Sequence, residues 1–175
     1  MAKAKKKYEL TDETMVVGGI TLHRIRALVA IAAIGVAAGD LGGWIEREEN
    51  LSQVYGDAWV YGNAWVYGDA QVYGDAQVYG NARVYGDARV YGNARVYAPI
   101  ICATRTDGYT FCAAHDQHYI VRIIAGCRYF TPTEARAHWS ATRGGTKLGD
   151  ESLALIDHLE RMAALQGWPS PVAAE

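Results

Sequence analysis

The sequence predicts a mainly β protein whose middle is a solenoid of very short strands, with a cap covering each end. Three observations carry this prediction. Valine recurs every six residues at Val54, Val60, Val66, Val72, Val78, Val84, Val90 and Val96 without a break. The word A-x-V-Y alternates small, variable, valine, tyrosine, the period-two pattern of a strand with one buried face. Each tyrosine up to Tyr91 is followed by Gly-Asp or Gly-Asn, residues that tolerate the left-handed backbone region and so turn a corner.

The corner residues also carry a longer period. They run Asp57, Asn63, Asp69, then Asp75, Asn81, Asp87, before Asn93 breaks the order. A period of three words predicts three corners per coil, with residues three words apart stacked on one another. Eight words then make a little under three coils. Solenoid ends expose unpaired strand edges, so a stack this short has to be covered at both ends.

The flanks supply the covers. Upstream, Tyr8-Glu9-Leu10 and MVVGGITLHRI predict strands around a Gly18-Gly19 hairpin turn. The linker GDLGGWIEREENLSQ (39–53) leads into the first coil. Downstream, IICATRTDGYTFCAA reads as a hairpin turning at Asp107-Gly108, and YIVRIIAG (119–126) as a third strand rich in β-branched residues. TPTE (131–134) is a capping box with Pro132 at the first helical position, opening a helix that runs to about Thr142. A last helix spans about 150–166, with Leu155, Leu159 and Met162 on one stripe and Gly167 as its stop. The chain thus divides into an N-terminal β cap and linker (1–53), the repeat (54–98) and a C-terminal βββαα cap (99–175).

Composition narrows the function classes. The chain has 175 residues, half of them hydrophobic, and a formal charge of -2, which argues against a dedicated nucleic-acid or anionic-membrane binder. The one basic run, at 3–7, reads as a solvated arm. Cys102, Cys112 and Cys127 are an odd number without C-x-x-C spacing; they predict inert strand cysteines in a reducing cytoplasm, with no disulfide framework. The apolar run LVAIAAIGVAA (28–38) is too short to span a bilayer, for which about 20 residues are needed, and is read as buried structure.

On these residues the repeat resembles the hexapeptide-repeat left-handed parallel β-helix, a three-sided prism with aliphatic residues inside. The left-handed coiling is implied by that resemblance, since the usual crossover is right-handed. YELTDET, IRAL, GDLGGWIEREENLSQ and, after the repeats, GCRYFTPTEARAHW are similar to a group of phage and prophage hexapeptide-repeat proteins. The N-terminal half is also similar to a bacterial hexapeptide protein loosely labelled an acyltransferase. VAIAAIGVAA departs from the polar loop found there. The resemblance implies a fold far more firmly than an activity.

The candidate chemistry lies outside the repeat. Hexapeptide acyltransferases, by the same resemblance, use a histidine base, often on a loop projecting from the prism, with acyl-CoA between subunits. The repeat has neither histidine nor inserted loop: His23, His115, His118, His138 and His158 all lie in the flanks. His115 and His118 around Asp116 in AAHDQHY are the catalytic candidates, because a carboxylate can orient an imidazole. A polar turn between two strands uses the same residues and is the favoured reading. H-D-Q-H offers too few ligands for a metal, and Gly144-Gly145-Thr146-Lys147 lacks P-loop spacing. The aspartate columns Asp57/Asp75 and Asp69/Asp87 read as corner residues, so no metal is expected.

The outward positions form the candidate binding surface: Trp59, Tyr61, Trp65, Tyr67, Tyr79, Arg83, Tyr85, Arg89, Tyr91, Arg95 and Tyr97. Stacking predicts three tyrosine ladders, Tyr55–Tyr73–Tyr91, Tyr61–Tyr79–Tyr97 and Tyr67–Tyr85. The variable positions grade from Trp through Gln to Arg. Ladders stabilise sheets on their own account. An exposed aromatic band of this extent is nevertheless unusual on a monomer, and Tyr, Trp and Arg are the residues of interface hot spots.

The expectation is a homo-oligomer, first of all a trimer, whose remaining Arg-Tyr surface takes a host protein or a small anionic ligand. No cofactor, membrane or specific nucleic-acid partner is expected. The function read from this is a non-enzymatic phage- or prophage-derived binding or assembly protein in the bacterial host cytoplasm. Its partner would be a host factor, such as a defence complex, that it inhibits or sequesters. The alternatives are an acetyl- or acyl-CoA-dependent acyltransferase, with acetyl-CoA as its cofactor, and a structural β-helix that polymerises through its ends.

Overall fold

The computed structural model describes residues 6–54 and 56–168, so Lys3 and Lys5 of the basic run and Tyr55 of the first ladder lie outside the described residues. The N-terminal cap opens with an antiparallel hairpin, β1 (Tyr8–Val17) and β2 (Ile20–Ala27). Its turn is the predicted Gly18-Gly19, whose φ of 57° and 84° only glycine adopts without strain. Strand β3 (Leu41–Ile45) pairs antiparallel with β2 and parallel with the repeat, so one strand joins cap to solenoid.

The apolar segment between β2 and β3 is a correction. Residues 28–38 are mostly exposed: they form a loop with one 3-10 turn, and only Ile31 and Val36 are buried. The loop uses its apolar residues on one side only. Its buried pair belongs to the same cluster as Trp59, and the Tyr61 hydroxyl donates to the Ile34 carbonyl at 3.4 Å.

The repeat strands are β4 (Trp59–Val60), β5 (Trp65–Val66), β6 (Gln71–Val72), β7 (Gln77–Val78), β8 (Arg83–Val84), β9 (Arg89–Val90) and β10 (Arg95–Val96). They make three parallel faces, β4-β7-β10, β5-β8 and β6-β9. Strand partners lie three words apart, as the corner residues predict: Trp59 with Gln77, Trp65 with Arg83, Gln71 with Arg89. The alanine and valine of every word from Ala58 to Val96 point inward and are at most 1 % exposed. Each valine buried this way contributes roughly 1.5–3 kcal/mol.

The first coil needs partners for its outer carbonyls, and the N-terminal cap provides them. Backbone N–H groups of Trp44, Glu46 and Ser52 donate to Ala64, Val66 and Val72. Side chains complete the set. The Lys7 ammonium donates to the Ala58 carbonyl at 2.9 Å, and the Asn50 amide donates to Ala70 at 2.8 Å and Gly68 at 3.0 Å.

The C-terminal cap has one strand more than predicted. Strands β11 (Ile101–Thr104), β12 (Thr110–His115), β13 (Val121–Ala125) and β14 (Arg128–Phe130) form an antiparallel meander, so the cap is ββββαα where βββαα is expected. Gly126, at a φ of 61°, reverses the chain and makes a strand of RYF. The capping box opens α1 (Pro132–Arg143): Thr131 and Glu134 bond each other's backbone. The second helix, α2 (Lys147–Leu165), buries Ile156, Leu159 and Ala163 against the sheet, which places Leu155 and Met162 at the margin of its stripe. The cysteine prediction is also corrected. Cys102 and Cys112 are directly opposite on β11 and β12, with Cα atoms 4.1 Å apart, and are joined as a disulfide. That separation is typical of the close, non-hydrogen-bonded pairs of an antiparallel ladder.

Candidate binding surface

The outward side chains stack as the coil repeat requires. Tyr61, Tyr79 and Tyr97 form a continuous ladder with ring centroids 4.5 Å apart and planes within 9°. Tyr73 and Tyr91 stack at 4.5 Å and Tyr67 and Tyr85 at 5.5 Å. Parallel strands impose this spacing: equivalent residues in neighbouring strands lie about 4.8 Å apart, close to the contact distance of two rings. Tyr85 is 45 % exposed, and the other described ladder tyrosines are half-buried.

One predicted surface residue, Trp59, is placed differently. Trp59 is only 1 % exposed, because Tyr8 meets its ring edge-on at 6.2 Å and the N-terminal cap closes over this face. It is therefore a core residue and leaves the candidate surface. Gln77, beneath it in the same column, is also buried; its carbonyl oxygen accepts from the Tyr79 hydroxyl and lies 3.5 Å from the Tyr61 hydroxyl. Trp65 is half-buried under the Arg83 guanidinium, which lies 4.3 Å from the ring centroid.

Arg83, Arg89 and Arg95 are exposed, and among the described residues none has a carboxylate partner. They do not form one patch. Successive words fall on successive faces, so each arginine sits on a face of its own, on β8, β9 and β10. The surface is three similar Tyr-Arg faces.

The histidine turn does not assemble a catalytic group. Asp116 accepts from the backbone N–H of His118 at 2.8 Å and of Ile120 at 3.1 Å, and from both arms of Arg122. Its carboxyl is held below the usual carboxylate range: burial acts against this, but Arg122 and the backbone donors outweigh it. His115 is buried with Nδ1 on the Asp116 carbonyl at 2.8 Å, whereas His118 points to solvent beside Gln117. Asp116 thus holds the turn and touches neither imidazole with its carboxylate. Among the described residues no His, Cys, Asp and Glu group of metal-site size occurs.

The YdcK beta solenoid repeat family matches the chain over residues 52–68, 76–90 and 88–98. The chain is a β-solenoid repeat protein. The match falls on the repeat except for residues 69–75, and apart from residues 52 and 53 leaves both caps outside it. No curated protein matches the chain.

Electrostatically the solenoid faces are simple. Burial, and then the neighbouring Tyr61 and Tyr97, push the Tyr79 hydroxyl well above the usual phenol range. Tyr91 is pushed up to about 12, first by burial and then by Tyr73, Tyr109 and Cys127. The charge of the faces comes from the arginines and from the corner aspartates beside them, such as Asp69 and Asp87 next to Arg89. Sequence reasoning missed how the β11–β12 hairpin walls in one face of the solenoid. There Gln71, Arg89 and Tyr91 meet Thr104, Tyr109 and Thr110 around a cleft of about 460 Å³. Arg89 and Tyr91 carry the sequence signal for it; nothing in the sequence places the hairpin against them.

Proposed function

We propose that this β-solenoid is a non-enzymatic binding or assembly protein of phage or prophage origin, and that its faces engage a host factor in the bacterial cytoplasm. In this reading the coils wind left-handed and the protein assembles as a homo-oligomer, a trimer. One observation carries the proposal: stacked tyrosines are framed by three exposed arginines, Arg83, Arg89 and Arg95, that have no carboxylate partner among the described residues. Such a surface offers large apolar area at little entropic cost, plus guanidinium forks for an acidic partner. The engagement of Asp116 and His115 in a turn supports binding over acyl transfer.

The test compares affinity capture from bacterial lysate by the wild-type chain and by an Arg83→Glu/Arg89→Glu/Arg95→Glu variant of unchanged melting temperature. The wild type is expected to retain one partner at defined stoichiometry, and the variant to lose at least nine-tenths of it, while mass measurement in solution returns a trimer. Equal capture by both chains, or acetyl-CoA turnover abolished by His115→Ala, overturns the proposal.

A further inference from the structure

The C-terminal cap contains a second cleft, which shares Tyr109 with the one against the solenoid face. It lies among the β11–β12 hairpin, β14 and the last turns of α1 and measures about 350 Å³. Its walls include Arg105, Tyr109, Arg128, His138, Trp139 and Arg143. Arg105 is already engaged: it binds Asp107 through two nitrogens at 2.8 and 2.6 Å and Ser152 at 2.9 Å.

Arg128 and Arg143 are not engaged in this way. Among the described residues neither has a carboxylate partner. Arg128 reaches the Cys127 sulfur at 3.4 Å and lies 5.9 Å from the Trp139 ring centroid. Thr142, also in the wall, donates its proton to the His138 carbonyl at 2.7 Å. Trp139 is 4 % exposed, and its Nε1 has no hydrogen-bond partner. An indole N–H can only donate, and a buried donor without an acceptor is costly enough to be rare.

The two unpaired cations of this cleft arrive from different elements, β14 and α1, and can only donate, beside Tyr109 and His138, which can donate or accept. What satisfies them is an anion with acceptors on several sides. We propose that this cleft binds the phosphate group of a small phosphorylated ligand, held by Arg128 and Arg143. Guanidinium forks pair with phosphate oxygens two at a time, and three terminal oxygens serve two forks where a planar carboxylate faces one. The volume suits a small ligand. The two arginines that hold the phosphate, Arg128 and Arg143, lie on no solenoid face, so the site stands or falls independently of the function proposed above.

The test is calorimetric titration of the full chain with inorganic phosphate and with pyrophosphate at fixed ionic strength, with chloride as reference. Saturable binding is expected, weakened about tenfold or more by Arg128→Gln and by Arg143→Gln. Arg161→Gln, on the exposed side of α2 and outside the cleft, binds as the wild type. The proposal is overturned if neither anion gives saturable heat, or if Arg128→Gln and Arg143→Gln bind no more weakly than Arg161→Gln.

Discussion

Lys7 and Asn50 do for the first coil what one more coil would do. Both are buried side chains whose donors end on carbonyls that face the open end of the stack. The cost is visible at Lys7: burial lowers its pKa to about 8, although Asp57 and Asp75 act in the opposite direction. Arg105 has a similar role in the other cap, joining the β11–β12 hairpin to α2 through Asp107 and Ser152. Its guanidinium holds the Asp107 carboxyl down, from 3.8 to about 2. A carboxylate whose pKa is depressed by folding stabilises the fold above its unfolded value and loses that contribution as pH falls through the folded value. Thermal melts should therefore show stability declining as pH drops from about 4 to about 2, and Asp107→Asn should flatten that decline.

Each corner of the solenoid uses a glycine at positive φ, yet the corners are not equivalent. A Cβ on Gly56 would sit 2.2 Å from the Gly74 carbonyl oxygen of the next coil, whereas one on Gly62 would meet nothing within 4 Å. Both residues have left-handed φ, 65° and 56°. Gly62→Ala should cost only the left-handed penalty, about 1–2 kcal/mol. Gly56→Ala should cost clearly more, since the first corner must also move off the coil below. Urea denaturation of the two variants checks the order; equal costs would mean that the corners stack more loosely than this geometry requires. The element scale also explains Trp59. Its word is like its neighbours, but its strand is the one over which Tyr8 and the 28–38 loop close.

At the scale of the molecule, the ladders couple stability to alkaline pH. Burial raises the hydroxyl pKa of Tyr61, Tyr67, Tyr79, Tyr91 and Tyr129, the last two to about 12. A group whose pKa is raised by folding stabilises the fold fully below its unfolded value, near 10 for tyrosine, and loses that contribution as pH rises through the folded value. The melting temperature should fall across pH 10 to 12, in step with the ultraviolet absorbance of tyrosinate. Tyr79→Phe and Tyr91→Phe should each reduce the fall. A flat profile over that range would show that the stacked hydroxyls ionise without cost to the fold.

The solenoid, its three-word coil, the register of the tyrosine ladders, the Gly18-Gly19 hairpin and the Thr131 capping box were all legible in the sequence. Each is a local or strictly periodic signal, and periodicity survives without knowing what lies across from it. The long-range outcomes were not legible. The burial of Trp59 and the one-sided exposure of 28–38 depend on segments far apart in the chain. The fourth cap strand and the Cys102–Cys112 pairing are local by contrast, the cysteines being 10 residues apart, and turned on hairpin register that the composition of these segments does not announce. An outward position is surface only where nothing covers it, and what covers it is decided by tertiary packing.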